Sequence, residues 1–276
     1  MPIVYRSIAE AAYTQDLADA PQGVGATRTS LRRLLHSLDS VGWSKSEESG
    51  RLDRRALTRY AVGSANIFSR RMRVEAETSA VSILIDCSGS MGLINFSDST
   101  GMGAPDSRID VAQKITVHLS KMLQQARASF AITGFRNGNF KINGTSTTEE
   151  PGLLPFKPWG KTLQACVPLI GSIKRCATGS TPDYSALAYA IEDLSHRPEQ
   201  RKILFVLGDG DGYHVPHMQH LQRLADKLGI TIVAIGIQSA DVMQCFVNAV
   251  VVNDLKDLAN AAFNQLLKAV RRKVHA

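Results

Sequence analysis

Residues 81–91 read Val-Ser-Ile-Leu-Ile-Asp-Cys-Ser-Gly-Ser-Met, a short apolar run that ends in Asp86, Ser88 and Ser90. An apolar run of this length with β-branched residues is typical of a central strand buried on both faces. A carboxylate and two hydroxyls follow on one turn, and hard oxygen ligands of this kind suit Mg²⁺. The alternative is an ordinary solvated turn, since Asp, Ser and Gly are common turn residues.

Apolar strands and amphipathic helices alternate from residue 80 onward, which predicts an α/β fold with a doubly wound, mostly parallel sheet. We predict strands at 81–85, 129–135, 202–207, 231–235 and 247–252, and helices at 110–126, 182–194, 215–228 and 255–271. Segments 92–107 and 137–160 are predicted to be long loops, because both are rich in turn residues. Ligands of such folds bind at the carboxyl ends of the strands, where the strand order reverses.

Two later segments supply further oxygen-bearing side chains. Thr181 lies in the loop Gly-Ser-Thr-Pro-Asp at 179–183, and Asp209 follows the apolar run 204–207 between two glycines. Asp86 and Asp209 each end a predicted strand, so they can share one crevice. For Thr181 the alternative role is helix capping, with its hydroxyl at the N-cap and Pro182 in the first helical turn.

Residues 1–79 are predicted to form a short helical preface that packs on the main domain, 80–276, or leads into it. We expect a helix near 8–19, another from residue 30, a basic amphipathic segment at 51–60 and a strand at 67–74. The preface is rich in arginine, and this pattern fits either solvated helix faces or a docking surface for a partner. The arginines are Arg28, Arg32, Arg33, Arg51, Arg54, Arg55, Arg59, Arg70, Arg71 and Arg73.

Composition narrows the class of protein. The 276 residues are 44% hydrophobic, which is enough for a core, and no apolar run approaches the roughly 18 residues of a membrane span. The N-terminus lacks the apolar segment of a secretory signal, and the four cysteines contain no Cys-x-x-Cys pair. We therefore expect a cytoplasmic protein with reduced thiols. The net charge of +7 permits an acidic partner.

Other chemistry receives little support from the sequence. No Gly-x-x-x-x-Gly-Lys-Ser/Thr motif for ATP and no Gly-x-Ser-x-Gly nucleophile elbow occurs, and the acidic run at 209–212 does not complete a calcium-binding loop. His214, His217 and His220 recur at intervals of three residues. They are either incidental histidines on a surface helix or a second metal-binding or pH-sensitive contact.

The three motifs together resemble the von Willebrand factor A domain family. In that family Asp-x-Ser-x-Ser, a later Thr and a later Asp form a metal-ion-dependent adhesion site, which here corresponds to Asp86, Ser88, Ser90, Thr181 and Asp209. The resemblance implies that these residues bind Mg²⁺ directly or through water. It also implies that a carboxylate of a partner protein fills the open coordination position.

Further segments resemble the C-terminal region of the cobaltochelatase subunit CobT family. They are 5–17, 50–59, Phe-Ser-Arg-Arg at 68–71, 82–91, 197–206, 233–237 and the residues after 252, whereas 92–107 and 137–178 depart from that family beside the site. The resemblance implies a non-catalytic adaptor that works with a CobS-like AAA+ ATPase and a large chelatase subunit in cobalt insertion during cobalamin biosynthesis. It also implies assembly into an oligomeric complex, and it indicates no membrane association.

Two alternatives stay open at this point. One is an adaptor that couples an AAA+ ATPase to protein remodelling and does not act on tetrapyrroles. The other is a basic nucleic-acid-binding domain that uses the arginine-rich preface and the tail residues Lys268, Arg271, Arg272 and Lys273. A low aromatic content of 6% argues against the second, since single-stranded nucleic acids are usually bound by base stacking.

Overall fold

The computed structural model describes residues 3–19, 41–47, 49, 51–52, 67–73, 79–92, 107–137, 141–142, 145–146 and 151–253. The helices are α1 (Ile3–Ala18), α2 (Arg108–Gln125), α3 (Leu163–Ile170), α4 (Asp183–Ser195), α5 (Val215–Lys227) and the one-turn α6 (Val242–Cys245). The strands are β1 (Val41–Glu47), β2 (Arg51–Leu52), β3 (Phe68–Arg73), β4 (Ser79–Asp86), β5 (Ser129–Asn137), β6 (Lys141–Ile142), β7 (Thr145–Ser146), β8 (Pro151–Lys157), β9 (Arg201–Gly208), β10 (Ile230–Ile237) and β11 (Ala249–Val252).

The central sheet has six strands in the order β11-β10-β9-β4-β5-β8. All neighbours are parallel except β5 and β8, which are antiparallel. Every residue of β4 and β10 is buried, as expected of parallel strands that are covered on both faces. The chain moves from β4 outward to β5 and later returns to β9 on the other side of β4. The strand order therefore reverses between β4 and β9, which confirms the predicted doubly wound α/β class.

Helices cover both faces of this sheet. Side chains of β4 alternate between the two faces, so Val81, Ile83 and Ile85 pack in one hydrophobic cluster with α2 and α3. Ala80 and Leu84 pack in the other cluster with α4 and α5. The 3-10 turn Gly89–Gly92 begins three residues after Asp86, the last residue of β4.

Helix α1 packs on the first of these clusters. Its Tyr13 belongs to that core, and the backbone oxygen of Ala9 approaches Gly171 so closely that a Cβ there would collide with it. The buried Asp16 accepts a hydrogen bond of 2.5 Å from Gln113 of α2, and its backbone oxygen lies 2.9 Å from Nε2 of His118. The segment before residue 79 also contains the antiparallel sheet β1-β3-β2, of which only β3 was expected.

Several sequence expectations need correction. Segment 137–160 is not one loop, because residues 151–157 form the edge strand β8, whose Gly and Pro residues suggested a turn. Helix α4 begins at Asp183 with Pro182 as its N-cap residue and without a side-chain cap, so Thr181 does not cap it. Arg51 and Leu52 are strand residues. The predicted helices from residue 30 and at 255–271, residues 53–60 and 93–106, and the basic tail lie outside the described residues.

Two further findings concern the cysteines and the length of the apolar helices. All four cysteines are free, and Cys87, Cys166 and Cys245 are buried. Within the described ranges, no helix combines the length and the apolar content that crossing a membrane requires.

Candidate metal centre

The turn after β4 presents a carboxylate and two hydroxyls at the edge of the sheet. Asp86 is the last residue of the strand and is fully buried, and its Oδ1 accepts a hydrogen bond of 2.8 Å from the backbone N–H of Ser88. The Oγ atoms of Ser88 and Ser90 are 3.1 Å apart. Asp-x-Ser-x-Ser therefore folds back on itself and brings its side chains to one side of the turn.

The turn after β9 brings Asp209 to the same edge. Strands β4 and β9 are parallel and Ile85 pairs with Leu207, so Asp86 and Asp209 lie at adjacent strand ends. Asp209 is also fully buried. Its Oδ1 accepts from the backbone N–H of Asp211 at 3.0 Å, and its Oδ2 accepts from the guanidinium of Arg108 at 2.7 Å. Arg108 is itself 1% exposed, so this ion pair is buried on both sides.

Tyr213 joins the two turns. Its hydroxyl donates to Asp86 Oδ2 at 3.2 Å from a buried position. The approach requires glycine at position 208, because a Cβ there would overlap the Tyr213 hydroxyl oxygen and lie 3.1 Å from Cβ of Asp86. Both carboxylates are thus oriented by two hydrogen bonds each, and each oxygen keeps a lone pair for another ligand.

The loop that carries Thr181 contacts the turn after Asp86. The backbone of Gly89 donates to the oxygen of Gly179 at 2.9 Å, and that of Thr178 donates to the oxygen of Cys87 at 2.9 Å. Gly179 has φ +81° and a Cβ would lie 2.6 Å from the Asn137 oxygen, so only glycine fits there. The loop therefore lies against the Asp86 turn, and Thr181, half-buried, follows two residues after Gly179.

The electrostatics of the site favour a bound cation. Burial raises the pKa of Asp86 and the neighbouring charge of Asp209 adds to this effect, whereas hydrogen bonds from Ser88 and Tyr213 oppose it, so that the pKa lies at about 7. Burial and the same two carboxylates hold the pKa of Tyr213 well above its usual range. Arg108 offsets the charge of Asp209, so an ionised Asp86 carries a buried negative charge that a cation can offset.

The donor set fits Mg²⁺. Two ligands 2.0–2.1 Å from Mg²⁺ at adjacent corners of an octahedron are about 2.9 Å apart. The separation of 3.1 Å between the Ser88 and Ser90 oxygens is close to that value. Asp86 would hold the ion with them, and Asp209, which Arg108 already engages, would act through water. No group of three or more His, Cys, Asp or Glu side chains is placed to hold a metal ion in the described parts of the chain, so the candidate centre depends on hydroxyl oxygens as well as carboxylates.

The three histidines are exposed, and His214 directly follows Tyr213 in the chain. His214 precedes α5, and its backbone N–H donates to Asp183 at the start of α4 at 2.9 Å. The rings of His214 and His217 have centroids 4.0 Å apart, and the ring of Tyr184 is 5.2 Å from that of His217. The rings of Tyr184, His217 and His214 therefore form a chain of tilted contacts on the surface.

Sequence reasoning missed Arg108 and Tyr213. Arg108 is one of many arginines, and it lies far from every motif that points to the site. Tyr213 is four residues after Asp209, but no spacing rule predicts that its hydroxyl turns back to Asp86. Both contacts form only when the helix and the two turns have packed together.

No protein-family model matches this chain. The fold is similar to that of the pilus adhesin SpaC from Lactobacillus rhamnosus GG, with a TM-score of 0.51 and 12% identity over 72% of this chain and 31% of that one. The PilB minor pilin from Streptococcus sanguinis has a TM-score of 0.51 and 14% identity over 75% of this chain and 66% of PilB. The conserved hypothetical protein BatB from Bacteroides thetaiotaomicron has a TM-score of 0.49 and 13% identity over 70% of this chain and 98% of BatB.

Sequence identities of 12% and 14% indicate a shared fold and give no information about function. The chain spans less than a third of SpaC and just under two thirds of PilB. The strand order, the helices on both faces and the likeness to these structures agree with one architecture. This chain has a von Willebrand factor A-like fold.

Proposed function

We propose that this protein is a non-catalytic adaptor that binds an acidic side chain of a partner through Mg²⁺. The ion would be held by Asp86, Ser88, Ser90, Thr181 and Asp209. One observation carries the proposal: two fully buried carboxylates end adjacent parallel strands, beside two hydroxyl oxygens 3.1 Å apart. Oxygen-only donors of this kind suit Mg²⁺ better than softer metals.

The charge balance of the site supports binding of a carboxylate. Ser88, Ser90 and Thr181 are neutral donors, and Arg108 offsets the charge of Asp209. Asp86 is held in place by Ser88 and Tyr213, so it cannot turn away to solvent without breaking two hydrogen bonds. A Mg²⁺ ion held by mostly neutral groups supplies a positively charged open position for an Asp or Glu of a partner.

The identity of the partner rests on the resemblance to CobT. We infer that the chain links a CobS-like AAA+ ATPase to a client in a cytoplasmic, cobaltochelatase-like complex, which would insert cobalt in cobalamin biosynthesis together with a large subunit. An adaptor for AAA+-driven protein remodelling would use the same metal site with another client. A gene for a large chelatase subunit beside that of this protein would favour the first of these.

The metal site can be tested before the partner is known. We expect isothermal titration with MgCl₂ to show one site in the parent protein and none in Asp86→Ala, with an affinity loss of at least about 100-fold. The matched control is Asp211→Ala, which removes an exposed carboxylate two residues from Asp209 and should bind Mg²⁺ like the parent. Equal Mg²⁺ binding by Asp86→Ala and the parent would overturn the proposal.

The adaptor role needs a second experiment. The purified CobS-like ATPase should bind the parent protein in Mg²⁺, and should lose binding in EDTA and with Ser88→Ala. Circular dichroism of Ser88→Ala should match the parent, because the substitution removes one hydroxyl from a turn. Binding that survives both EDTA and Ser88→Ala would exclude coupling through the metal. Retention of random oligonucleotides that persists in EDTA and falls steeply with salt would instead favour a nucleic-acid-binding domain.

A further inference from the structure

A basic pocket lies at the end of the sheet opposite the candidate metal centre. It is a cavity of about 330 Å³ between the start of β5, the end of β8 and the start of α3, with Lys157, Lys161, Arg127, Phe130 and Thr162 in its wall. Asp86 pairs with Phe135 near the carboxyl end of β5, whereas Ser129 and Phe130 begin that strand. The two sites are therefore separated by the length of a strand.

Lys157 is the unusual residue of this pocket. It is only 4% exposed, and its ammonium lies 4.0 Å above the ring of Phe130 and donates to the Phe130 backbone oxygen at 2.5 Å. No carboxylate pairs with it within the described residues, and burial lowers the pKa of Lys157, with Cys166 acting in the opposite direction. A buried ammonium is normally paired, because an isolated buried charge is costly. This one has two further N–H donors.

Two exposed cations line the same cavity as Lys157. Lys161 and Arg127 line the same cavity and are exposed, and neither forms an ion pair with a carboxylate in the described ranges. Arg127 has φ +54°, which holds the residue in the left-handed conformation directly after α2. The wall of the pocket thus carries three positive charges and no acidic residue.

The start of α3 adds hydrogen-bond donors. Thr162 is the N-cap residue, and its hydroxyl oxygen accepts from the backbone N–H of Ala165 at 3.4 Å. Its hydroxyl hydrogen is then available to an acceptor in the pocket. At Gly160, φ is +73° and no atom lies within 4 Å of the position a Cβ would take, so the pocket is open on that side.

We propose that this pocket binds a phosphoryl group, with Lys157, Lys161 and Arg127 as its cationic ligands and Thr162 as a hydroxyl donor. A phosphate monoester carries about −1.5 to −2 charges near pH 7, which balances three clustered cations better than the single charge of a carboxylate. Its oxygens accept several charge-assisted hydrogen bonds at once. The volume is at the lower end of the range for small-molecule sites.

The test is a titration of the full chain with inorganic phosphate in a buffer that contains EDTA. Binding is monitored through the amide chemical shifts in NMR spectra. EDTA removes any metal that could bind phosphate at the other end of the sheet, so this result is independent of the metal site. We expect saturable shifts at 127–130 and 157–163. Lys161→Gln and Arg127→Asn should each weaken binding about tenfold, and the double variant should abolish it.

These variants are chosen to keep the protein folded. Both side chains are exposed, and Asn tolerates the positive φ at position 127. The matched control is Lys227→Gln, which removes an exposed lysine from α5 and should leave the affinity unchanged. The proposal is overturned if no saturable shifts appear, if Lys227→Gln weakens binding as much as Lys161→Gln, or if acetate binds as tightly as phosphate.

The source of the phosphoryl group is tested in parallel. AMP and phosphoserine are titrated under the same conditions. Tighter binding of AMP than of inorganic phosphate would support the site and identify a nucleotide as its ligand, and tighter binding of phosphoserine would support it and identify a phosphorylated side chain. Equal affinities for all three would support a site that recognises the phosphoryl group alone.

Discussion

The two ends of the central sheet have opposite electrostatic character and are built differently. At the carboxyl end, Asp86 and Asp209 are buried and each is oriented by two hydrogen bonds. At the other end, the buried Lys157 contacts one backbone oxygen and one aromatic ring. The acidic end includes an internal counter-ion, Arg108, whereas the basic end has no acidic residue in its pocket wall. Burial alone therefore does not define a site, because the charge left after internal pairing determines which ligand can bind.

The largest effect is expected from breaking the internal pair at the acidic end. Arg108→Met should lower the free energy of unfolding by about 3 to 5 kcal/mol in EDTA, because Asp209 then keeps a buried charge without its partner. Mg²⁺ should restore part of that loss. Urea denaturation measures both effects. The control is Lys114→Gln, which breaks the partly exposed ion pair with Asp110 and should lower the free energy of unfolding by less than about 1 kcal/mol. Equal losses in the two variants would contradict the comparison.

A pH titration sharpens the same point in the metal-free protein. The pKa of Asp86 rises from 3.8 to about 7 on folding, so between these pH values the folded state binds a proton that the unfolded state has lost. The contribution of Asp86 to the free energy of unfolding is therefore fully present below pH 3.8 and is lost as the pH rises towards 7. The loss amounts to about 4 kcal/mol, at 1.36 kcal/mol per pK unit.

The measurement is the difference in unfolding free energy between the parent and Asp86→Asn, in EDTA, at several pH values. The amide does not titrate, so other groups cancel in the difference. We expect Asp86→Asn to gain stability relative to the parent as the pH rises from about 4 to about 7. A difference that does not change with pH would mean that Asp86 is charged throughout.

A smaller effect is expected from crowding the contact between the two turns. Gly208→Ala places a Cβ against the Tyr213 hydroxyl and 3.1 Å from Cβ of Asp86. The substitution should therefore lower the free energy of unfolding by about 1 to 3 kcal/mol and weaken Mg²⁺ binding. Gly92→Ala is the control, since its Cβ would lie 3.5 Å from that of Ala177, an ordinary contact. Thermal unfolding and Mg²⁺ titration of both variants separate the outcomes. Full tolerance of Gly208→Ala would show that Tyr213 does not hold Asp86.

The smallest effect on stability is expected at the basic end. Lys157→Met removes the hydrogen bond to the Phe130 backbone oxygen but also removes a buried charge, and the side chain keeps nearly the same length. Because the two effects offset each other, the free energy of unfolding should change by less than about 1 kcal/mol. Phosphate binding should nevertheless disappear. A loss of more than about 3 kcal/mol in urea denaturation would instead assign Lys157 a structural role, and would make the two ends more alike than we infer.

A strand or a site residue could be predicted where its sequence pattern lies within a few consecutive residues. The buried strands β4, β9 and β10 are apolar runs, so their existence and their parallel arrangement followed from the pattern. The edge strand β8 did not, because Pro151, Gly152 and Pro155 favour a turn and only pairing with β5 makes the segment extended. The five proposed metal ligands could be named from their motifs, and their coordination is still a prediction.

The class of fold and the candidate ligands could be predicted from the amino-acid sequence, because apolar periodicity and oxygen-rich turns each depend on a few consecutive residues. Three features became visible only in the folded protein. Arg108 pairs with Asp209, Tyr213 donates to Asp86, and Lys157 is buried without an acidic partner in the described residues. Each of these contacts joins segments that are distant in the chain. Their energies depend on distance and on exclusion of water, and neither quantity exists before the helices and strands have packed.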